Sequence, residues 1–447
     1  MGIKNLHTFL RKTCPQIYEE VHLSEYAFKK IGIDTAIYLC KFKTSLGTQW
    51  LNGFLQICSL MREFCIHPVF IFDNVFPPEK EEEKKRRSDA RKQQKSKMLE
   101  LREEWNQYRS LLFHHDSSVL YCFMKDPNIP IGLYAFLFKT FISNNSVEED
   151  FNHRITIADI DNEFIRIENT MLQIDPNDYQ TVKNLLSVLK IPYITAIGEA
   201  EATGSYLCRT RLLDAILTDD TDVLAYGCPV FLHKLDLHDH TCMRIQYSNV
   251  LETLDFDEDS FLDFCIMCGT DYNVNIPGIG HEKAFKWLKQ HKKIEGILNS
   301  HPSLQSLVDQ MDTTSSFMYN RVREMFSEAP EEEIIRRYGG RTLWCDFPDW
   351  DEVTAFLFYH NCSLTDVTGL KNNLYNNRGL VFPDGDLDQD LDQDRDLDQD
   401  RDQDQDQQDG RVVDKNQPVA PKLMVLNQQK KCLLRPSVFG KPLFSTK

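Results

Sequence analysis

The stretch Asp214-Ala215-Ile216-Leu217-Thr218-Asp219-Asp220-Thr221-Asp222 decides the fold. Three consecutive apolar residues bounded by polar ones are typical of a short strand buried in a parallel sheet. The acids that follow would lie beyond the carboxyl end of this strand, where open α/β sheets bind their ligands. Alternation would send the side chains of Asp220 and Asp222 in one direction. The stretch therefore predicts a sheet with an acidic site at one edge.

Similar short apolar runs occur at residues 31–33, 69–72 and 230–232, and each ends at polar residues. Helical periodicity lies between them, for example at residues 50–64 and 180–189. Strands that alternate with helices predict an α/β fold whose mostly parallel, twisted sheet has helices on both faces.

The composition predicts a chain that is globular for most of its length, since 41% of its residues are hydrophobic and 11% are aromatic. The formal charge of −17 is unevenly placed, because thirteen aspartates and only two arginines lie between Asp384 and Asp409. We expect this acidic repeat to be disordered. It separates the body from a tail that is either a partner-binding peptide or an unstructured end. Local patches, not the total charge, thus decide whether nucleic acid can bind.

The chain lacks an apolar run of about 18 residues and a secretory signal, which predicts a protein without a membrane association. Its thirteen cysteines show no disulfide framework and favour a reducing compartment, nuclear or cytoplasmic, over secretion. The single C-x-x-C pair, Cys265 and Cys268, has no second pair at zinc-finger spacing. We expect it to line a buried helix; the alternative is a metal site.

Residues 77–109 are densely charged and rich in helix formers, which predicts a helix standing away from the core. A solvated surface helix and a helix that contacts DNA are both compatible with this pattern.

Several acids follow strand-like runs or open helices. Asp34 and Asp73 follow the runs at 31–33 and 69–72, Glu199 and Glu201 lie at a predicted helix start, and Asp271 follows an apolar helical stretch. Taken singly, each acid is more often a helix cap or a turn residue than a ligand. Together with Asp220 and Asp222 they would repel one another in a common cleft, and divalent cations would relieve the repulsion. Oxygen ligands without His or Cys favour Mg²⁺ or Mn²⁺. Two such ions about 4 Å apart support phosphodiester hydrolysis.

In these residues the chain resembles the flap endonucleases and related 5′ structure-specific nucleases. The similarity covers residues 1 to about 109 and about 165 to 373. The motifs that carry it are Met1-Gly2-Ile3-Lys4-Asn5-Leu6, Ile33-Asp34-Thr35, Phe72-Asp73 with Pro77-Pro78, Ile191-Pro192-Tyr193, Glu199-Ala200-Glu201-Ala202, Thr218-Asp219-Asp220-Thr221-Asp222, Cys268-Gly269-Thr270-Asp271-Tyr272 and Ile276-Pro277-Gly278-Ile279-Gly280.

The resemblance implies a PIN-like nuclease core with a helical arch and a helix-hairpin-helix region. It also implies that two Mg²⁺ ions, for which Mn²⁺ can substitute, are held by seven acids: Asp34, Asp73, Glu199, Glu201, Asp220, Asp222 and Asp271. Gly2 would lie near this site. Lys80 best matches the family's catalytic lysine, and Arg86 or Arg87 its arginine, although the spacing from Asp73 is one residue longer than expected.

The helix-hairpin-helix region, at about residues 264–300, would bind the DNA backbone. Gly278 and Gly280 permit its tight turn, which could also coordinate K⁺, and Lys283 and Lys286 would add phosphate contacts.

Four regions are expected: a nuclease region with the arch helix at 1–104, a lineage-specific cap or insertion at 105–163, a second nuclease region at 164–375, and an acidic repeat with a tail at 376–447. The insertion makes the connection to Glu199 longer than in an ordinary flap endonuclease, so a preference for threaded flaps is not implied. The tail has no clean Gln-x-x-Leu-x-x-Phe-Phe peptide, so dependence on a sliding clamp is not implied either.

The sequence therefore predicts a monomeric, Mg²⁺-dependent structure-specific endonuclease. It would cut 5′ flaps at junctions of single strand and duplex in DNA replication, repair or recombination, with an accompanying 5′ to 3′ exonuclease. The nearest alternative is a related 5′ exonuclease, or an endonuclease for bubbles or four-way junctions. A distant one is a non-catalytic DNA-binding protein, which would have no need for seven mutually repelling acids.

Overall fold

The computed structural model describes residues 2–74, 80–112, 128–142, 156–171, 174–312, 317–327, 331–362 and 366–375. Residues 1–380 form one compact unit. The predicted disorder of the acidic repeat and the two alternatives for the tail concern residues that lie outside the described ranges. None of the helices in the described ranges has both the length and the hydropathy needed to cross a bilayer.

The strands are β1 (Glu19–His22), β2 (Lys30–Asp34), β3 (His67–Phe72), β4 (Tyr193–Thr195), β5 (Ala215–Leu217), β6 (Val230–Asp236) and β7 (Thr241–Gln246). The helices are α1 (Leu6–Thr13), α2 (Thr35–Leu46), α3 (Leu51–Glu63), α4 (Glu81–Leu112), α5 (Ile131–Leu137), α6 (Ile157–Thr170), α7 (Pro176–Val188), α8 (Ala200–Arg209), α9 (Asp222–Ala225), α10 (Tyr247–Leu254), α11 (Glu258–Cys268), α12 (His281–His291), α13 (Ile294–Ser300), α14 (Pro302–Asp312), α15 (Tyr319–Ser327), α16 (Glu331–Tyr338), α17 (Trp350–Tyr359) and α18 (Val367–Leu374).

Across the described ranges the strands form one sheet in the order β1-β7-β6-β5-β2-β3-β4. The five strands from β6 to β4 run parallel, whereas β7 pairs antiparallel with both β6 and β1. The strands predicted at 31–33, 69–72, 215–217 and 230–232 are confirmed as β2, β3, β5 and β6. Because neighbouring parallel strands end at the same edge, the residues after β5, β2, β3 and β4 lie side by side.

Helices cover both faces of the sheet, as predicted. Successive residues of β3 point to opposite faces of the sheet. Ile71 belongs to the hydrophobic cluster that includes α8 and α11, whereas Phe70 belongs to the cluster that includes α2, α3 and α7. All six residues of β3 are buried, as expected for a strand covered on both sides. Cys265 and Cys268 are buried in α11 with free thiols, which agrees with the buried-helix interpretation of the C-x-x-C pair.

The predicted charged helix is α4, which we call the arch helix. The arch helix continues without a break across the boundary expected between residues 104 and 105. Its two halves differ in burial. Side chains from Lys84 to Lys97 are mostly exposed, whereas the second half joins a third hydrophobic core. This satellite cluster consists of buried side chains from α4, α5 and α6: Met98, Leu101, Trp105, Tyr108, Leu133, Leu137, Ile160 and Phe164. Helix α6 in turn lies against α2 of the main body.

Candidate active site

The carboxylate of Asp34, the last residue of β2, is fixed at the edge of the sheet. It caps α2 by accepting hydrogen bonds from the N–H groups of Ala36 and Ile37 at 3.0 and 3.3 Å. Its second oxygen accepts from the hydroxyl of Thr218, at 2.8 Å, on the neighbouring strand end. Asp34 is only 3% exposed, so its orientation is determined by the fold.

The next two strand ends bring three further acids to the same place. Asp73 follows β3 and accepts from the backbone N–H of Ala200 at 2.9 Å, which ties it to the start of α8. Glu199 is the N-cap residue of α8, and Glu201 lies in its first turn. A helix N-terminus favours carboxylates because its unpaired N–H groups carry partial positive charge.

Asp220 and Asp222 follow β5, and their side chains face the N-terminal segment of the chain. The N–H of Asp222 donates to Asp220 Oδ1 at 3.0 Å. Gly2, with a φ of 80°, packs against both: a Cβ atom there would overlap Asp220 Oδ1 and come within 2.7 Å of Asp222 Oδ1. The N–H of Lys4 donates to the carbonyl of Gly269 at 3.0 Å and fixes this segment beside the loop after α11. Only glycine fits at position 2.

The loop after α11 supplies Asp271, and the start of the arch helix supplies two cations. Lys80 Nζ lies 2.5 Å from Glu199 Oε1 and 3.8 Å from Asp271 Oδ2. Arg87 Nη2 donates to Asp271 Oδ1 at 2.7 Å. Of the two arginines considered from the sequence, Arg87 therefore contacts the acids, while Arg86 is exposed. We call the seven acids together the carboxylate rim: Asp34, Asp73, Glu199, Glu201, Asp220, Asp222 and Asp271.

The rim is under strong electrostatic repulsion. Burial, and then the charge of Asp73, raises the pKa of Asp34 to about 7. Burial also raises the pKa of Asp73, Glu201, Asp220 and Asp222, and in each case carboxylates from other segments of the chain add to the shift. Burial disfavours the charge of Lys80, but the facing acids, Glu199 foremost, raise the pKa of its ammonium. The same proximity is seen in the contacts, since Gly2 packs against Asp220 and Asp222, and Lys80 lies near both Glu199 and Asp271.

The donor set fits hard divalent cations. Every rim ligand is a carboxylate oxygen, and Asp222 Oδ1 is buried with no hydrogen-bond donor in the described part of the chain. In those same ranges no three acidic, His or Cys side chains close onto one point as a finished coordination shell. Two of the rim acids, Glu199 and Asp271, are instead paired with Lys80 and Arg87.

Sequence reasoning missed the residues that support the rim from behind. Thr218 was part of a quoted motif without a role, yet its hydroxyl binds Asp34. The hydroxyl of Tyr272 donates to Glu199 Oε2, and that of Tyr226 lies 3.4 Å from the same atom. Burial raises the pKa of both phenols far above the ordinary value, so both hydroxyls keep their protons. The position of Tyr272 directly after Asp271 was the one available signal.

The glycines assigned to DNA binding lie in the loop between α11 and α12, and the lysines lie on α12; none of them is among the rim acids. Gly278 has a φ of 76° and, like Gly280, has open space where a side chain would stand. Lys283 Nζ lies 4.5 Å from the centroid of the Trp287 ring, and Lys286 is on the same helix. The backbone of this turn is thus accessible to a large ligand.

Two family models match the chain. The XPG N-terminal domain matches residues 1–94, and the XPG I-region matches residues 190–271. Between them these ranges contain all seven rim acids.

Among curated relatives, the probable RAD2-like endonuclease 369L of Invertebrate iridescent virus 6 is 33% identical over 317 residues, which cover 66% of this chain and 73% of the relative. The probable RAD2-like endonuclease 076L of Invertebrate iridescent virus 3 is 29% identical over 383 residues, covering 80% and 94%. Flap endonuclease 1 of Zea mays is 25% identical over 345 residues, covering 73% and 76%. A solved structure of the catalytic core of Rad2 in complex with DNA substrate resembles this chain with a TM-score of 0.52 at 16% identity, covering 84% and 99%, and this likeness concerns the fold.

Proposed function

Because the chain belongs to the XPG and flap endonuclease family of nucleases, we propose that the carboxylate rim is the site at which it cuts DNA. The protein is a structure-specific 5′ flap nuclease, a hydrolase of phosphodiester bonds. One observation supports this site above all others: acids from four strand ends and one loop lie in a single buried group beside two cations. A scaffold protein would gain nothing from this repulsion.

Two Mg²⁺ ions, or Mn²⁺ in their place, would be held by the seven rim acids. The carboxylates of Asp34, Asp73 and Asp220 accept hydrogen bonds from backbone N–H groups, and that of Asp34 also from a hydroxyl, so these three are already oriented. Bound divalent cations would supply the positive charge that activates water and stabilises the charge that develops on the phosphate.

Lys80 and Arg87 have a second function in this proposal. In the absence of a substrate their charges lie against Glu199 and Asp271. A phosphodiester that enters the pocket is also negatively charged. It could therefore replace the rim acids as the partner of these two cations. Preorganised cations of this kind stabilise the transition state of phosphoryl transfer. Gly2 keeps the pocket open, since any side chain at this position would fill the space in front of Asp220.

Contacts far from the chemistry would select the DNA. The turn at Gly278 and Gly280 would hold a phosphate of the duplex and coordinate K⁺, and Lys283 and Lys286 would add contacts that do not depend on sequence. The protein would act as a monomer on DNA with 5′ flaps or junctions. The described cysteines are free thiols, which fits action in the reducing nucleus or cytoplasm.

The test is product mapping with end-labelled flap, bubble, nicked and four-way DNA in Mg²⁺. We expect wild type to cut the 5′ flap best, near the junction, and to leave a 5′-phosphate. Asp220→Asn should abolish the cutting. Asp219→Asn is the matched control, because Asp219 lies in the same loop but its carboxylate pairs with Lys41 at 2.5 Å and accepts from the backbone N–H of Lys234 at 3.0 Å.

Equal cutting by wild type and Asp220→Asn, or no cutting by either, would contradict the catalytic assignment. Faster cutting of bubbles or four-way junctions would keep the site and change the preferred DNA structure.

A further inference from the structure

The two oxygens of Glu199 have different partners. Lys80 Nζ lies 2.5 Å from Oε1, whereas the hydroxyl of Tyr272 donates to Oε2. The hydroxyl of Tyr226 is 3.4 Å from Oε2 and 2.8 Å from that of Tyr272, so the two phenols form a short hydrogen-bonded chain. Tyr226 and Tyr272 are 5% and 4% exposed. The tyrosine hydroxyls therefore hold Oε2 of Glu199, whereas Oε1 faces the ammonium group of Lys80.

Tyr272 also contacts Lys80 directly. Lys80 Nζ lies 4.8 Å from the centroid of the Tyr272 ring, which is a cation–π distance. One residue thus touches both members of the Glu199–Lys80 ion pair, the hydroxyl contacting the acid and the ring face contacting the ammonium.

Helix α15 covers the tyrosine pair. The Phe326 ring, 3% exposed, lies 4.7 Å from the ring of Tyr226 and 5.3 Å from that of Tyr272, measured between centroids. This third ring packs against both tyrosines and so limits the positions that their rings can take.

An ion pair between a partly exposed arginine and a buried carboxylate holds α15 in place. Arg323 donates to both oxygens of Asp263 on α11 at 2.6 Å, and also to Glu295 on α13. Asp263 is 1% exposed and additionally accepts from the N–H of Ile294 at 2.9 Å. Phe326, Arg323 and Tyr272 all lie outside the ranges 1–94 and 190–271 that the family models match.

We propose that Tyr226 and Tyr272, held by Phe326 of α15, are positioning residues that orient Glu199 toward a divalent cation and Lys80 toward the DNA phosphate. Groups that hydrogen-bond to a metal-binding carboxylate fix its orientation, and their loss commonly weakens metal affinity by about 10- to 100-fold. The inference rests on the proposed function, since it gives the support for two residues of that site.

The two contacts of Tyr272 can be separated by substitution in the full chain. Tyr272→Phe removes the hydroxyl and keeps the ring, whereas Tyr272→Leu removes both. For Tyr272→Phe we expect Mn²⁺ affinity, measured by titration calorimetry, to fall about tenfold. Its kcat on a 5′-flap duplex should fall at low Mn²⁺ and recover when Mn²⁺ is saturating. Tyr272→Leu should show the same loss of affinity and a kcat that stays low at saturating Mn²⁺, with KM unchanged.

Tyr226→Phe should weaken Mn²⁺ binding less than Tyr272→Phe, because its hydroxyl is farther from Glu199. Phe326→Leu should also weaken Mn²⁺ binding, because the tyrosines lose their packing. The controls are Tyr247→Phe, a buried phenol on α10, and Phe317→Leu, a buried ring just before α15. Neither should change Mn²⁺ affinity.

Wild-type Mn²⁺ affinity in both Tyr272→Phe and Phe326→Leu would overturn the inference even if Tyr272→Leu fails to fold. An equal loss in the Tyr247→Phe control would overturn it as well, since the effect would then be general destabilisation. A wild-type chain that neither binds Mn²⁺ nor cuts DNA would instead refute the proposed function, and this inference with it.

Discussion

The carboxylate rim and the arch helix meet at one place but are held there by different means. Rim acids are fixed within a few residues of a strand end by backbone N–H groups and hydroxyls, as Asp34 and Asp73 show. The arch helix reaches the rim through the ion pairs of Lys80 and Arg87, and most side chains from Lys84 to Lys97 are exposed. The negative half of the site is therefore built into the sheet, whereas the positive half is carried by a helix supported elsewhere.

That support is the satellite cluster. Trp105 is fully buried, and its Nε1–H donates to Asp161 of α6 at 2.8 Å. Arg109 donates to the same carboxylate at 2.7 Å. At 1.5 Å per residue, Trp105 lies about 27 Å along the helix from Arg87. We therefore expect packing in the satellite cluster to influence where the arch helix places its cations at the rim.

The largest effect should follow from Asp34→Asn. Loss of this charge should reduce single-turnover cleavage by about 10³-fold, as expected when a group that stabilises the transition state is removed. The metal-free protein should nevertheless be more stable at pH 8, because the repulsion falls while asparagine can still cap α2. Asp175→Asn, at the N-cap of α7, is the control and should leave cleavage intact. A destabilised Asp34→Asn protein in EDTA would show that the rim is not under net repulsion.

A smaller loss is expected on the arch side. Arg87→Ala should lower kcat by about 10²-fold and leave Mn²⁺ affinity at or above that of wild type, because Asp271 loses a competing cation. Steady-state kinetics and Mn²⁺ titration on the same preparation measure the two quantities. Arg86→Ala is the matched comparison. Equal losses in the two variants would mean that the contact with Asp271 does not identify the functional arginine.

Disrupting the satellite cluster should lower kcat less than the loss of Arg87 does. Trp105→Ala leaves a cavity that costs about 3 to 5 kcal/mol locally, so the arch helix should become more sensitive to protease. We expect kcat to fall about tenfold because Lys80 and Arg87 are less well placed, with Mn²⁺ affinity unchanged. Trp50→Ala, which disturbs the main core, should not increase cleavage within the arch helix. A wild-type kcat in Trp105→Ala would contradict the expectation that the satellite cluster helps to position Lys80 and Arg87.

The smallest effect concerns pH. Folding raises the pKa of Asp34 to about 7, above an unfolded value of about 3.9. The folded state therefore binds protons more tightly, and stability from this group decreases as pH rises through 7. Burial lowers the pKa of His7, His67 and His233, and these imidazoles change stability in the opposite direction, so wild type is compared with Asp34→Asn, in which they are the same. Without metal, the melting temperature of wild type relative to that of Asp34→Asn should fall by at least about 2 °C between pH 5.5 and pH 8. Saturating Mg²⁺ should remove most of this change in the wild type. A relative melting temperature that rises between pH 5.5 and 8 would contradict the rim electrostatics.

Local patterns predicted the strand ends and the acids that follow them, because a buried parallel strand is a short apolar run and its end is marked by the next polar residue. The same reasoning gave the arch helix. Strands β1, β4 and β7 were not predicted, since β1 and β7 have mixed burial with only partial alternation and β4 is three residues long with one buried side chain. For residues 111–147 no assignment was made, and the structure describes α5 within them. The tyrosine pair escaped detection because Tyr226, Tyr272 and Phe326 meet only through the tertiary fold.

The strand order has a consequence for how the chain can vary. Strands β2 and β3 come from the first matched range, while β4 and β5 come from the second and lie on either side of them. Neither range can complete the sheet alone, so each half depends on the other for its edge hydrogen bonds. In its described residues, the peptide that joins the two ranges contributes no strand to the sheet. Lengthening it adds little to the entropic cost of closing the loop. We therefore expect the connection to tolerate changes in length while the edge of the sheet stays the same, and a chain divided there would be a natural starting point for reassembly from two fragments.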